Sequence, residues 1–322
     1  MSQKIIFTLL LPLLILACAS MVFGQQQWQY SQYMNNNFLL NPAEGGTEKF
    51  TDIKLGFRTQ WTGLSGSPYS MFLSGHHPIN RNREENSELK DFGHHGVGGY
   101  ISNDITGPTS RLSAYGSYSY HLPVSKTITA SLGAFVGFKQ YKVDENKLIW
   151  ENNVPDATVH GATTAYVPDA SLGIWVYSNV WYAGVSTFQL FQNNIELGES
   201  TSTTEQTVLS RHHFATAGFK FHISTHWYVV PSVVVKGTQN VPAQFDLNGK
   251  LKYEDKYWFG ASYRNKDAVV ALIGCTIKDQ WEIGYSYDFN ISKLRAYHAG
   301  SHEILIGCRI QQEDQIVPSQ FW

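Results

Sequence analysis

From about residue 52 the chain alternates apolar and polar positions with a period of two. In "DIKLGFRTQW" (52 to 61), Ile53, Leu55, Phe57 and Trp61 share one face, while Lys54, Gly56, Arg58 and Gln60 share the other. "QWEIGYSYDF" sets Trp281, Ile283, Tyr285 and Tyr287 against Glu282, Gly284, Ser286 and Asp288. "HEILIGCRI" sets Ile304, Ile306, Cys308 and Ile310 against Glu303, Leu305, Gly307 and Arg309. Period two predicts strands rather than helices. About 14 such segments follow one another: 52–61, 68–77, 95–104, 109–121, 127–141, 169–178, 180–190, 211–223, 226–236, 243–253, 256–265, 267–277, 280–288 and 302–312. Pro231, inside one of them, predicts a bulge or local irregularity.

An all-β chain of this kind is either a soluble sandwich or propeller, or a transmembrane barrel. A barrel turns its aliphatic face to lipid, gathers aromatics at both interfaces and keeps small and charged residues inside. Here the polar faces hold Gly, Ser and charges, and aromatics gather at strand ends, as in "WFGASYR" and "WEIGYSYDF". Barrels also alternate short periplasmic turns with long external loops. With the N-terminus inside, the connections after strands 6, 8, 10 and 12 are short and those after strands 5, 7 and 13 are long. The long, charged stretch 80–93 is the exception, read as a solvated loop or as a docking surface for a periplasmic partner. The expected fold is therefore an antiparallel transmembrane β-barrel of about 14 strands.

The flanks refine the domain plan. "MSQKIIFTLLLPLLILACASMVFG" has an early Lys4, an apolar run and small residues at Val22 and Gly24, which predicts a signal peptide over 1–24 cut before Gln25. Lipidation at Cys18 within "ILAC" is the alternative, and the apolar run is short for a spanning helix. Residues 25–51, rich in amide and aromatic side chains and without periodicity, form an N-terminal segment that either plugs the lumen or lies against the periplasmic mouth. The barrel is expected over 52–312 and a tail over 313–322.

Composition narrows function. With net charge −2, 16% charged residues and 14% aromatics, nothing invites nucleic acid. No phosphate loop or nucleophile elbow occurs, and no catalytic residue, cofactor site or metal site is assigned. His76/His77, His94/His95 and His212/His213 are neighbours on strands, so their rings diverge and chelate poorly. His298, His302 and Glu303 would converge only on a helix, and the strand pattern from 302 dissolves that constellation. Cys275 and Cys308 fall on the apolar register of strands 12 and 14, about 10 Å apart with a strand between them, beyond disulfide reach. Arg264, Asp288 and Glu303 point inward by register near the external strand ends, as a structural ion network or as a contact surface for something inside the barrel.

These motifs carry a resemblance. "QYSQYMNNNFLLNPAEGG" followed by "RTQWTGLSGSPYSMFLSGHHPI", then "GVGGYISNDITGPTS", "YSYHLPVS", "VPDASLGIWVYSNVWYAGVS", "PAQFDLNGKLKYEDKYWFGASYR", "IGYSYDF" and "GSHEILIG" resemble the PorP/SprF family of type IX secretion outer-membrane proteins of Bacteroidetes over nearly the whole mature chain. The resemblance implies a non-enzymatic outer-membrane barrel working with the type IX secretion and gliding motility machinery. It also implies partners: a secreted adhesin or other cargo with a type IX C-terminal sorting domain, periplasmic motor and ring components, and outer-membrane lipid. A passive channel or hydrophobic-compound transporter on the same barrel is the competing function. "VPSQFW" departs from an expected strand terminus at Pro318.

Overall fold

In a computed structural model of the chain, residues 30–79, 93–147, 162–195, 207–239 and 241–310 are described. The expected signal peptide with its cut before Gln25, the alternative at Cys18, most of the charged stretch 80–93 and the tail 313–322 lie outside them.

Fourteen strands close into one antiparallel barrel: β1 Thr51–Thr59, β2 Tyr69–Ile79, β3 His94–Thr106, β4 Thr109–Pro123, β5 Thr129–Asp144, β6 Ala162–Tyr177, β7 Trp181–Phe188, β8 His212–Phe219 with its continuation Phe221–His222, β9 Trp227–Thr238, β10 Val241–Tyr253, β11 Tyr257–Arg264, β12 Ala268–Ile277, β13 Trp281–Asn290 and β14 Ser301–Ile310. Closure is by β1 against β14, from Thr51↔Ile310 to Thr59↔His302. A closed ladder leaves no sheet edge and pairs every strand on both sides, which is what lipid demands of a spanning backbone. The end where β1 begins and β14 finishes is the base, and the opposite end is the far rim.

Burial is inverted relative to a soluble protein. Leu55, Phe57, Leu73, Ile101, Leu132, Ile273 and Ile306 face outward, while Asp52, Lys54, Arg58, Asp288, Glu303 and Arg309 are buried inside. Outward aromatics lie toward both ends, with Phe219, Tyr257 and Trp281 near the base and Phe245, Tyr263 and Phe289 near the far rim. Cys275 and Cys308 are free and outward, flanking β13 opposite Ile283 and Trp281.

Three details differ from the sequence pattern. Strand β6 starts at Ala162, seven residues ahead of the expected 169, because its ladder with β5 continues past Lys139↔Val167 to Asp144↔Ala162. The register of β9 runs unbroken through Pro231↔Gly249, and its shift lies instead between Lys236 and Thr238. Proline's effect falls on the other neighbour, where β8 is interrupted after Phe219, opposite the ring that lacks an N–H. The loop alternation is also incomplete: the far-rim turns after β3, β9 and β11 are as tight as those at the base.

Candidate functional site: the occupied lumen

Residues 30–50 make no sheet pairs. They run through the barrel as three short 3-10 turns, Tyr33–Asn35, Asn37–Leu39 and Pro42–Glu44, and nearly all of them are buried. A run of Asn, Pro and Gly without periodicity supports no strand. Asn41 starts the third turn by accepting from Ala43 N (3.0 Å), with Pro42 as its first residue. Backbone groups that a strand would pair in a ladder must find other partners here, and the barrel wall supplies them.

The wall meets both the main chain and the side chains of the segment. Glu303 accepts from Ser31 N (2.7 Å) and Gln32 N (3.0 Å). Ser186 donates to Leu40 O (2.5 Å), Ser131 to Ala43 O (2.6 Å), and Ser119 and His121 both donate to Gly45 O (2.5 and 2.8 Å). His76 Nδ1 accepts from Gly46 N (3.2 Å), and His94 Nε2 donates to Gly46 O (2.9 Å). Asn41 adds two bonds from its amide, to Ile174 O (2.9 Å) and Val185 O (3.2 Å). Small wall residues make the approach close: a Cβ on Gly133 would come within 2.5 Å of Ala43 N.

Apolar packing fills the middle. Tyr30, Tyr33, Met34, Phe38 and Leu39 of the segment pack with inward Phe72, Tyr100, Tyr115, Phe135, Phe188, Phe214 and Trp258. The Phe38 and Phe135 rings lie edge to face at 5.1 Å. The polar faces read from sequence held small and charged residues, and this aromatic belt adds to them: Phe72 and Phe135 occupy inward positions because the segment offers them apolar partners. Between Tyr30, Leu39 and Leu40 on one side and Phe72, Phe214 and Leu305 on the other lies a void of about 20 Å³, room for one water.

Ion pairs clamp the far-rim end, and polar contacts hold the lower end. Near the far rim, Arg58 reaches Asp288 (2.7 Å), Glu303 (3.2 Å) and Ser31 Oγ (2.6 Å). Arg264 reaches Asp288 (3.2 Å), Asp267 (3.1 Å) and Ser31 Oγ (3.1 Å), and Ser31 Oγ donates in turn to Asp288 (2.7 Å). Lys236 meets Asp246 at 2.7 Å, and Asn248 donates to the Tyr33 hydroxyl. Lower down, Lys250 holds Asn35 Oδ1 (2.8 Å), Lys54 pairs with Asp52 (2.5 Å), and Glu44 lies 3.6 Å from His76. Burial pushes the Glu44 carboxyl well above its usual range; Lys54 pulls the other way, while Asp52 and Glu48 add to the push.

The three residues singled out from sequence, Arg264, Asp288 and Glu303, are all buried and inward, at 2%, 0% and 1% exposure. Arg264 bonds Asp288 directly, Glu303 joins that pair through Arg58, and all three bond Ser31 of the lumenal segment. Arg58, the cation that joins both carboxylates, was not singled out, although its inward register was legible in "KLGFR". The histidine pairs split as strand geometry requires, with His76, His94 and His212 inward and His77, His95 and His213 on the other face. What no pairwise motif announced is that His76, His94 and His121 converge on Gly45–Gly46. His302 faces outward and meets Tyr285 Oη at 2.7 Å. Among the described residues, no group of three or more His, Cys, Asp or Glu could hold a metal ion.

Among solved structures, the toluene transporter TbuX of Ralstonia pickettii matches with a TM-score of 0.51 at 10% identity, covering 87% of this chain and 93% of that one. The CymD monoaromatic hydrocarbon channel gives 0.48 at 11%, over 90% and 95% of the two chains. The translocator domain of the autotransporter NalP from Neisseria meningitidis gives 0.46 at 8%, over 88% and 98%. At such identity the likeness to TbuX shows a shared barrel fold and nothing of cargo. No curated protein sequence matches the chain. Residues 22–308 match a family described as type IX secretion system membrane protein PorP/SprF. A closed barrel with an apolar outer face and a match over nearly the whole chain agree on a multi-pass protein of the outer membrane. The chain belongs to the PorP/SprF family of type IX secretion system membrane proteins.

Proposed function

We propose that this barrel serves the type IX machinery as a closed accessory component, supporting the export or surface anchoring of one cognate secreted protein rather than passing solutes through its lumen. The observation that carries this reading is the occupancy of the lumen by residues 30–50, bonded to the wall from Glu303 near the far rim to His94 at the base. In this reading residues 30–50 are the plug, within the N-terminal segment expected over 25–51, Arg264, Asp288 and Glu303 belong to its clamp, and the base is periplasmic. The cargo is a secreted adhesin or another protein with a type IX sorting domain, and periplasmic motor or ring components meet the base. Deletion of the gene is expected to abolish surface display of one secreted protein, scored by whole-cell labelling. Unchanged display of every such protein overturns the reading. A passive channel would conduct ions or small solutes steadily in planar bilayers, whereas a plugged barrel conducts little.

A further inference from the structure

The wall that holds the lumenal segment is complete without it. Among the described residues, strand pairing runs around the whole barrel from β1 to β14 and back, and residues 30–50 contribute nothing to that ladder. The segment is continuous with the sheet only at Thr51. Its recognition lands on side chains and main chain alike, and the main-chain share can be carried by any sequence. Eight wall hydrogen bonds end on main-chain N–H or C=O groups, from Ser31, Gln32, Leu40, Ala43, Gly45 and Gly46. Gly133 and Gly96 lie directly under Ala43 and Gly45, so the contact there is backbone against backbone. Main-chain hydrogen bonds supply affinity with little demand on side-chain identity, while pockets and close approaches set which residue sizes fit.

We propose that the lumen is a peptide-binding site that reads the main chain, and that a peptide supplied by another polypeptide can occupy it in place of residues 31–46. The ligand class follows from the contacts: a turn-rich, irregular segment with small residues where Ala43 and Gly45 stand, and an amide side chain where Asn41 bonds Ile174 O and Val185 O. The carboxylate of Glu303 receives two consecutive amide N–H groups at its far-rim end. Held in cis, the chain's own segment enjoys a high effective concentration, so exchange requires that its hold be weakened first. The inference rests on the reading of the lumen as closed by its own segment.

The test spoils the occupant and leaves the site intact. In the full-length Ala43→Trp variant, the indole has no room over Gly133, and no wall residue changes. Reconstituted in planar bilayers, this variant is expected to conduct where the native protein conducts little. A synthetic peptide spanning Ser31 to Gly46 should close it again. The same peptide carrying Tyr33→Ala and Leu39→Ala should still close it at higher concentration, and the peptide carrying Ala43→Trp should bind about tenfold more weakly or worse. Gly45→Val, whose added Cβ would sit 2.8 Å from the Phe38 ring, is a second way to loosen the segment. Heat-modifiable gel migration reports whether each variant forms a barrel. The proposal is overturned if the variants stay closed, if they open but no peptide closes them, or if neither forms a barrel, which would make the segment part of the wall's own folding. Failure of peptide closure with surface display still dependent on the gene sinks this inference alone; unchanged display sinks the proposed function instead.

Discussion

Arg58→Ala isolates the clamp near the far rim. The guanidinium is 2% exposed and bonds Asp288, Glu303 and Ser31 Oγ at 2.7, 3.2 and 2.6 Å. Its removal leaves the two carboxylates unequally served. Asp288 keeps Arg264 at 3.2 Å and the Ser31 hydroxyl, whereas Glu303 keeps only neutral donors, the Ser31 and Gln32 amides. Breaking a buried pair by removing one partner costs about 3–5 kcal/mol, because the other charge stays buried. The surviving partners place this loss at the lower end, about 3 kcal/mol. Denaturant unfolding of the protein in lipid vesicles, followed by tryptophan fluorescence, gives the difference directly. Glu303→Gln in the Arg58→Ala background should recover part of the loss, since the stranded charge disappears, with a coupling of about 0.5–3 kcal/mol in the double-mutant cycle. Lys147→Ala, which breaks an exposed pair with Asp144, is the control and should change stability by less than about 0.5 kcal/mol. A loss at Arg58 of under about 1 kcal/mol, the worth of a solvated ion pair, together with additive effects of the two substitutions, refutes the reasoning.

Three further outcomes follow from the same geometry. Gly133→Leu drives a side chain into Ala43 and Pro42, so it should cost about 1–3 kcal/mol by overpacking and raise single-channel conductance; a silent, equally stable variant contradicts the close contact. Glu44 has a folded-state pKa raised by burial, so the folded protein holds this proton more tightly than the unfolded chain, and stability falls as pH rises from about 4.5 through the raised value. Glu44→Gln should accordingly stabilise the barrel at neutral pH and flatten that part of the pH profile, as read from unfolding midpoints between pH 4 and 8. Cys275 and Cys308, free and turned toward lipid, should resist charged maleimides in vesicles, react with membrane-soluble ones, and form no crosslink under mild oxidation.

Where the sequence spoke clearly, it did so through local chemistry. All fourteen strands were legible, because one face of each must meet lipid and the other must not, and a period of two writes that on every residue. The inward register of Arg264, Asp288 and Glu303 followed from the same rule. Boundaries were less legible: the early start of β6 depends on its ladder with β5 rather than on its own pattern. Pro231 marked an irregularity, yet which neighbour bore it depended on where its missing N–H points.

By itself, then, the sequence determined the barrel class, the strand number and the inside-outside assignment, since each rests on a chain segment facing two solvents at once. Tertiary structure alone decided the partners. Arg58 meets Asp288 and Glu303 across 230 and 245 residues of chain, and His76, His94 and His121 reach one glycine pair from three different strands. No local pattern encodes such meetings, because closure of the sheet and the path of residues 30–50 bring those groups together only once the barrel exists.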